Sequence, residues 1–149
     1  MSQNYPTNDR ELAPDMIGGE ISPRELFALQ DAVGWDTGLG RTTQSLKKCD
    51  IAVGIREPRE GSLVAFGAVY RSDGMSYLAD LSVDPDFQGR GLGKFLVDER
   101  IRRVREAGAS SVTAYVEDHS RLRGYYPRLG FVVASRLIAF DATEYVLDF

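Results

Sequence analysis

The chain has 149 residues, of which 43% are apolar and 27% charged, and its formal net charge is −4. This length suits one domain with its own core, and the composition is typical of a soluble globular protein. No apolar run approaches the roughly 20 residues of a membrane span, and residues 1–15 lack the hydrophobic segment of a signal peptide. With Cys49 as the single cysteine, no internal disulfide forms. We therefore expect a cytoplasmic protein without membrane contact, and the acidic balance argues against a nucleic-acid surface.

The first half of the chain predicts a leader, two helices and four strands. Residues 1–15 show no periodicity and predict a loose leader, which leaves residues 16–149 as one folded domain. Ser22, Pro23 and Glu25 form a capping box with proline in the first turn, which predicts a helix that ends at Gly34. The other predicted elements are a strand at 16–21, a loop at 35–41, a helix at 42–48, and strands at 51–56, 63–71 and 76–83.

The second half predicts one long amphipathic helix and the closing strands. The helix covers residues 91–107, because apolar residues recur there at helical spacing: Phe95, Leu96, Ile101 and Val104. The arginines that alternate with them are interpreted as its solvated face: Arg100, Arg102, Arg103 and Arg105. Further strands are predicted at 111–117, 131–136 and 145–149.

A glycine-rich loop joins the strand at 76–83 to this helix. It carries glycines at alternate positions, Gly89, Gly91 and Gly93. A strand, such a loop and a helix start form an anion site, because the first N–H groups of a helix are unpaired and its dipole favours negative charge. The side chains of Gln88, Arg90 and Lys94 add donors and positive charge, so the loop predicts a bound phosphate or pyrophosphate. The alternative is a plain tight turn.

Two common phosphate-binding loops do not fit these residues. A P-loop that ends at Gly93 and Lys94 requires glycine where the chain has Gln88, and Ser or Thr where it has Phe95. The dinucleotide-binding fingerprint that begins at Gly89 requires a third glycine where the chain has Lys94. Both are therefore excluded as the motif of this loop.

The loop, read as Gln88-Gly89-Arg90-Gly91-Leu92-Gly93, resembles the Gln/Arg-x-x-Gly-x-Gly pyrophosphate loop of the GCN5-related N-acetyltransferase (GNAT) superfamily. A second motif, Tyr125-Tyr126-Pro127-Arg128-Leu129-Gly130-Phe131, resembles the superfamily's aromatic-Tyr-x-x-Leu-Gly-Phe segment, and the two motifs stand in the right order and at the right distance. The resemblance implies an α+β fold with a central mixed, mostly antiparallel sheet flanked by helices, in which a splayed strand pair binds acetyl-coenzyme A. It also implies a helix at 121–129, despite poor helix formers there: Gly124 and Pro127.

The resemblance further implies how acetyl-coenzyme A is held. The backbone N–H groups from Gly89 to Lys94, that of Leu92 included, would hold the pyrophosphate. The strand end formed by Leu81, Ser82 and Val83 would pair with the pantetheine arm, and the N–H of Leu81 or Ser82 would stabilise the oxyanion. His119 would contact the coenzyme where relatives carry asparagine, although a surface position is an equal alternative.

For catalysis, the resemblance implies that the Tyr126 hydroxyl protonates the departing thiolate. The alternative is a packed aromatic whose hydroxyl is hydrogen-bonded. The general base stays open, because Tyr77 stands where protein-lysine acetylating relatives carry glutamate. Strand alternation places Asp80 on the face opposite Tyr77, so Asp80 is interpreted as structural. The remaining candidates are Glu117, Asp118, Glu144 or a water chain.

The resemblance implies that the loop after the first helix lines the acceptor site, which makes Trp35 and Asp36 candidates together with Tyr77, and an aromatic beside a carboxylate suits a cationic amine. A half-buried Trp35 that covers the sheet edge is an equal alternative. The acceptor would be a small-molecule amine or a protein amino group. One histidine and one cysteine do not supply the usual ligands of a zinc site, so no metal is expected. A non-catalytic acyl-coenzyme A sensor or scaffold is the alternative function, and a nucleotide-binding protein is a weaker one. A homodimer is possible, since relatives are often dimers.

Overall fold

A computed structural model describes residues 20–149 and places their strands in one open six-stranded sheet. The helices are α1 (Pro23–Val33), α2 (Leu39–Lys48), α3 (Leu92–Glu106) and α4 (Tyr125–Arg128). The strands are β1 (Ile51–Arg56), β2 (Leu63–Ser72), β3 (Met75–Val83), β4 (Ser111–Glu117), β5 (Val132–Leu137) and β6 (Ala142–Asp148). Their order is β1-β2-β3-β4-β6-β5, with β3 and β4 parallel and the other neighbouring pairs antiparallel. The predicted α+β architecture with a mixed, mostly antiparallel sheet is confirmed.

The predicted elements occur in the predicted order, and three of them differ from the prediction by more than one residue. Helix α2 begins at Leu39, so the loop predicted at 35–41 is shorter and ends at Gly38. Helix α4 has four residues, not the nine predicted, because Gly124 is a poor helix former and Pro127 has no N–H to donate. Strand β6 begins at Ala142, three residues earlier than predicted. The leader at 1–15 and most of the strand predicted at 16–21 lie outside the described residues.

The sheet is buried on both faces, and strand β2 shows how the core divides. Phe66 and Ala68 pack with Leu26 and Leu29 of α1, while Val69 packs on the opposite face against α3. Helices α1 and α2 therefore cover one face, and helices α3 and α4 cover the other. No helix within the described part of the chain is long and apolar enough to cross a bilayer.

The predicted capping box anchors α1. The Ser22 hydroxyl accepts the Glu25 N–H at 3.2 Å, and the Glu25 carboxylate accepts the Ser22 N–H at 2.8 Å. The same carboxylate forms a two-pronged ion pair with Arg56 of β1, at 2.6 and 2.8 Å. The hydrogen bond from Arg56 is the main reason that the pKa of Glu25 falls to about 2. The start of α1 is thus tied to the edge of the sheet.

Replacing Glu25 by glutamine is expected to lower the free energy of unfolding at pH 7 by about 1 kcal/mol, because glutamine keeps the cap but loses the ion pair. A folded-state pKa of about 2 lies below the ordinary 4.5, so the contribution is complete above pH 4.5 and is lost as pH falls toward 2. Urea unfolding at pH 7 and pH 3 measures the difference. Asp31→Asn, an exposed change on the same helix, is the control. Equal stability of Glu25→Gln and wild type at pH 7 contradicts this expectation.

Candidate active site

Strands β3 and β4 separate almost as soon as they meet. They pair only through Tyr77 with Thr113 and Leu78 with Ala114. Beyond Leu78 they diverge and leave a cavity of about 260 Å³. The cavity is lined by Trp35 from the α1–α2 connection, by β3, by β4 and by helices α3 and α4. This is the splayed strand pair that the resemblance implied.

A bulge in β3 lies beside this opening. Phe66 of β2 faces Ser82, but Ala68 faces Ala79, so β3 holds one residue more than β2 over this stretch. The extra residue lets Asp80 take a left-handed backbone conformation, with φ of +57°. Such a residue breaks the alternation of side chains along a strand.

The bulge turns Asp80 toward the α1 and α2 face. Its carboxylate accepts the Tyr70 hydroxyl at 2.9 Å, and Tyr70 packs in the cluster around α1. Tyr77 precedes Leu78, which packs against α3, so Tyr77 also lies on the α1 and α2 face. The predicted orientation of Asp80, on the face opposite Tyr77, was therefore wrong, because strict alternation does not pass through a bulge. Asp80 lines the cavity.

Arg100 also lines the cavity, which the sequence interpretation missed. It was assigned to the solvated face of the helix, but it is 1% exposed. Arg100 lies three residues after Val97 and four before Val104, and both are buried on the inner stripe of α3. This i, i+3, i+7 spacing was the available signal.

The guanidinium of Arg100 is bound to main-chain oxygens. Its Nε donates to Leu96 at 2.9 Å, and its Nη1 donates to Ala68 at 2.9 Å and to Ala79 at 3.1 Å. Its Nη2 has no hydrogen-bond partner among the described residues. Burial lowers the pKa of Arg100 to about 10, so the side chain stays charged at neutral pH.

Gly67 of β2 makes room for this arginine. A Cβ at residue 67 would lie 2.7 Å from Nε of Arg100. Since three hydrogen bonds hold the guanidinium, Gly67→Ala is expected to lower the free energy of unfolding by about 1–3 kcal/mol. Thermal unfolding tests this, with Gly40→Ala as control, because a Cβ at residue 40 meets nothing within 4 Å. Equal losses in the two variants contradict the expectation.

Tyr126 enters the same cavity from helix α4. Its ring is 5% exposed and is held edge-on by Phe131 at 5.3 Å and stacked on Tyr145 at 5.8 Å. Its hydroxyl forms no hydrogen bond with any residue in the described range. Burial raises the pKa of Tyr126, with Arg100 acting in the opposite direction. The phenol is therefore protonated at neutral pH, as a general acid requires.

The glycine-rich loop leaves the first turn of α3 open. Gly89 and Gly91 have φ of +78° and +84°, a region that favours glycine. Helix α3 begins at Leu92 with no side-chain cap and no acidic residue in its first turn. The Leu92 side chain is buried, so only its backbone reaches the loop. These N–H groups suit a pyrophosphate.

The polar side chains of the loop take different positions. Gln88 donates its amide N–H to the Val83 carbonyl at 3.0 Å, which fixes the loop to the end of β3. The Arg90 guanidinium lies over the Phe87 ring, 5.1 Å from its centre. Lys94 is exposed. The two cations stand at the α3 N-terminus, where a pyrophosphate would be held.

Of the residues predicted for the acceptor site, Trp35 lines the cavity, but Asp36 and Tyr77 do not. Asp36 is exposed, and Tyr77 stacks on Tyr115 with ring centres 6.0 Å apart. His119, predicted to contact the coenzyme, also lies outside the cavity lining, and its side chain is 80% exposed. The cavity lining therefore contains Trp35 but not Asp36, Tyr77 or His119.

The three residues considered for the general base lie in different surroundings. Glu117 lines the cavity. Asp118 forms an ion pair with Arg136 at 2.6 Å, and Glu144 accepts the Ser135 hydroxyl at 2.8 Å. No group of three or more His, Cys, Asp or Glu within residues 20–149 is arranged to hold a metal ion.

Residues 24–131 match the family model described as Acetyltransferase (GNAT) family. The chain belongs to this family. Over 116 residues it is 32% identical to the uncharacterized N-acetyltransferase ycf52 of Porphyra purpurea, a match that covers 75% of the chain. The match covers 66% of that relative, so the chain spans just under two thirds of its length.

Solved structures show the same GNAT fold. Ard1 from Thermoplasma volcanium superposes with a TM-score of 0.74 and 19% identity, over 89% of this chain and 95% of that one. A Bacillus subtilis acetyltransferase in complex with CoA superposes with a TM-score of 0.71 and 18% identity, over 89% and 97% of the two chains. At these identities the likeness establishes the fold.

Proposed function

We propose that this GNAT protein transfers an acetyl group from acetyl-coenzyme A directly to a primary amine of a small molecule or a protein. The observation that carries the proposal is the divergence of β3 from β4 after Leu78, with Tyr126 lining the opening. Membership in the acetyltransferase family supports acetyl transfer in general. The open N-terminus of α3 supports a pyrophosphate-bearing acetyl donor.

Acetyl-coenzyme A would lie along the α3 side of the opening. The backbone N–H groups from Gly89 to Lys94 would hold its pyrophosphate. Within the described strands, β3 has no partner on its β4 side beyond Leu78, so Leu81 to Val83 offer backbone groups to the pantetheine arm. An extended chain there behaves like an added strand.

The chemistry needs an oxyanion donor and an acid. Negative charge develops on the thioester oxygen as the amine attacks, and the N–H of Leu81 or Ser82 would stabilise it. The Tyr126 hydroxyl would give its proton to the departing sulfur. The coenzyme supplies the activated acetyl group, and these residues position and protonate it.

Direct transfer is favoured over an acetylated cysteine. Cys49 does not line the cavity, and its thiol lies 3.2 Å from the Leu46 carbonyl. Burial raises the pKa of the Cys49 thiol, whereas a nucleophilic cysteine needs a lowered pKa.

A thiol-release assay tests the proposal. Acetyl-coenzyme A would be mixed with the protein and, in turn, with spermidine, free lysine and a peptide that has an unblocked N-terminus. We expect thiol release that depends on at least one amine, with an equal amount of acetylated amine found by mass spectrometry. Coenzyme binding without thiol release from any amine contradicts the enzymatic proposal and favours the acyl-coenzyme A sensor.

A further inference from the structure

Asp80 is a half-buried carboxylate with one oxygen engaged and one free. The Tyr70 hydroxyl donates to Oδ2 at 2.9 Å and lies 3.2 Å from the Ser45 carbonyl. Burial, together with Asp80, raises the pKa of Tyr70, so its hydroxyl keeps the proton it donates. Oδ1 accepts no hydrogen bond from the described residues. The Tyr70 hydroxyl thus holds the orientation of the Asp80 carboxylate, and Asp80 lines the cavity.

The fold maintains this position against backbone strain. A residue other than glycine at φ of +57° costs of the order of 1 kcal/mol, and such strain clusters at functional sites. From the other face of the sheet, Arg100 Nη1 binds the carbonyls of Ala79 and Ala68. These two carbonyls flank the bulge on β3 and β2, so the buried arginine stabilises the conformation that aims Asp80.

The residues around Asp80 suit a cation. Trp35 lines the same cavity, and an indole ring attracts an ammonium group through its face. Glu117 adds a second negative charge to the lining. Arg100 lies on the α3 side of the cavity, where its guanidinium donates hydrogen bonds to main-chain oxygens. Tyr126 lies on the same side. One side of the cavity is therefore acidic and aromatic, and the thioester would lie on the other side, with Arg100 and Tyr126.

We propose that Asp80 is the carboxylate that binds the ammonium group of the acceptor and accepts its proton. The proposal rests on the acetyl transfer proposed above and assigns its acceptor site and general base. The acceptor is accordingly a primary amine that arrives protonated and enters from the Trp35 side.

An ammonium proton moves to the Asp80 carboxylate, which frees the nitrogen lone pair to form the N–C bond. The electron pair of the broken C–S bond stays on sulfur, which takes the proton of Tyr126. The second nitrogen proton returns to the Tyr126 oxygen, and Asp80 releases its proton to solvent.

The test compares Asp80→Asn with wild type in the thiol-release assay with spermidine, lysine and the unblocked peptide. We expect kcat to fall about a hundred-fold and KM for the amine to rise, with the Kd for acetyl-coenzyme A unchanged by titration calorimetry. Asp73→Asn is the matched control, because Asp73 is also an aspartate with positive φ, but it lies in the exposed β2–β3 turn. Asp73→Asn should keep the wild-type kcat and KM.

Each outcome decides one question. Wild-type kcat and KM in folded Asp80→Asn overturn the role of Asp80 but leave acetyl transfer standing. An inactive wild type that binds acetyl-coenzyme A overturns the proposed function, and this inference with it. If Asp80→Asn does not fold, Tyr70→Phe takes its place: a raised KM for the amine at unchanged coenzyme affinity supports the role, and an unchanged KM overturns it.

Discussion

Tyr126→Phe is expected to lower kcat by about a hundred- to ten-thousand-fold while the Kd for acetyl-coenzyme A stays at its wild-type value. Phenylalanine keeps the ring that packs against Phe131 and Tyr145 but removes the hydroxyl that lines the cavity. Without that proton donor, the thiolate must leave unprotonated. Steady-state thiol release and titration calorimetry measure the two quantities separately.

The matched control is Tyr145→Phe, which removes a hydroxyl from the ring stacked on Tyr126 but not from the cavity lining. It should turn over like wild type. The pH profile adds a second check, because the raised pKa of Tyr126 means that its deprotonation limits the rate only above pH 10. A wild-type kcat in Tyr126→Phe would contradict the role of the phenol as the proton donor.

Gly91→Ala is expected to weaken acetyl-coenzyme A binding by about ten- to a hundred-fold. Gly91 is the N-cap of α3 at φ of +84°, where alanine costs roughly 1–2 kcal/mol in backbone strain. A methyl group there also stands beside the N–H groups that the pyrophosphate would approach. Titration calorimetry gives the change in Kd, and circular dichroism shows whether the variant is folded.

Gly74→Ala separates lost binding from general strain. Gly74 has φ of +79° in the β2–β3 turn, and a Cβ there meets nothing within 4 Å. It carries comparable backbone strain far from the loop, so its stability should fall while its Kd stays unchanged. Equal losses of affinity in Gly74→Ala and Gly91→Ala would show that the loop has no specific part in binding.

The architecture could be predicted from the sequence because the strongest signals in the sequence are local. The capping box at Ser22 and Glu25 is complete within four residues, and it starts α1 where predicted. The glycine-rich loop and the Tyr126 motif each depend on short spacing, and they located the α3 N-terminus and the residue that enters the cavity. The resemblance to the acetyltransferases then implied the splayed strands, which no periodicity shows.

The bulge and the buried arginine are non-local and could not be predicted in the same way. Asp80 faces the cavity because β2 and β3 differ by one residue in their pairing, which alternation within β3 alone cannot reveal. Arg100 was grouped with three neighbouring arginines, although its spacing from Val97 and Val104 placed it on the inner stripe. Its burial depends on Gly67, which is distant in sequence.

The residues assigned from the family pattern do not all line the cavity. Tyr77 and His119 were assigned by counting from motifs and Asp36 by its place after the first helix, and none of them lines the cavity. Trp35 does, because the short connection between α1 and α2 brings it to the opening. Side-chain direction in loops depends on tertiary contacts, which a motif does not specify.

Titration calorimetry of the wild-type protein with acetyl-coenzyme A, coenzyme A and ATP tests the central claim most directly. The open α3 N-terminus and the gap between β3 and β4 predict micromolar binding of both coenzyme forms and none of ATP, since the pantetheine arm is needed to fill the gap. Absence of binding by either coenzyme form, or equal binding of ATP, would contradict the assignment of this cavity as an acetyl-coenzyme A site.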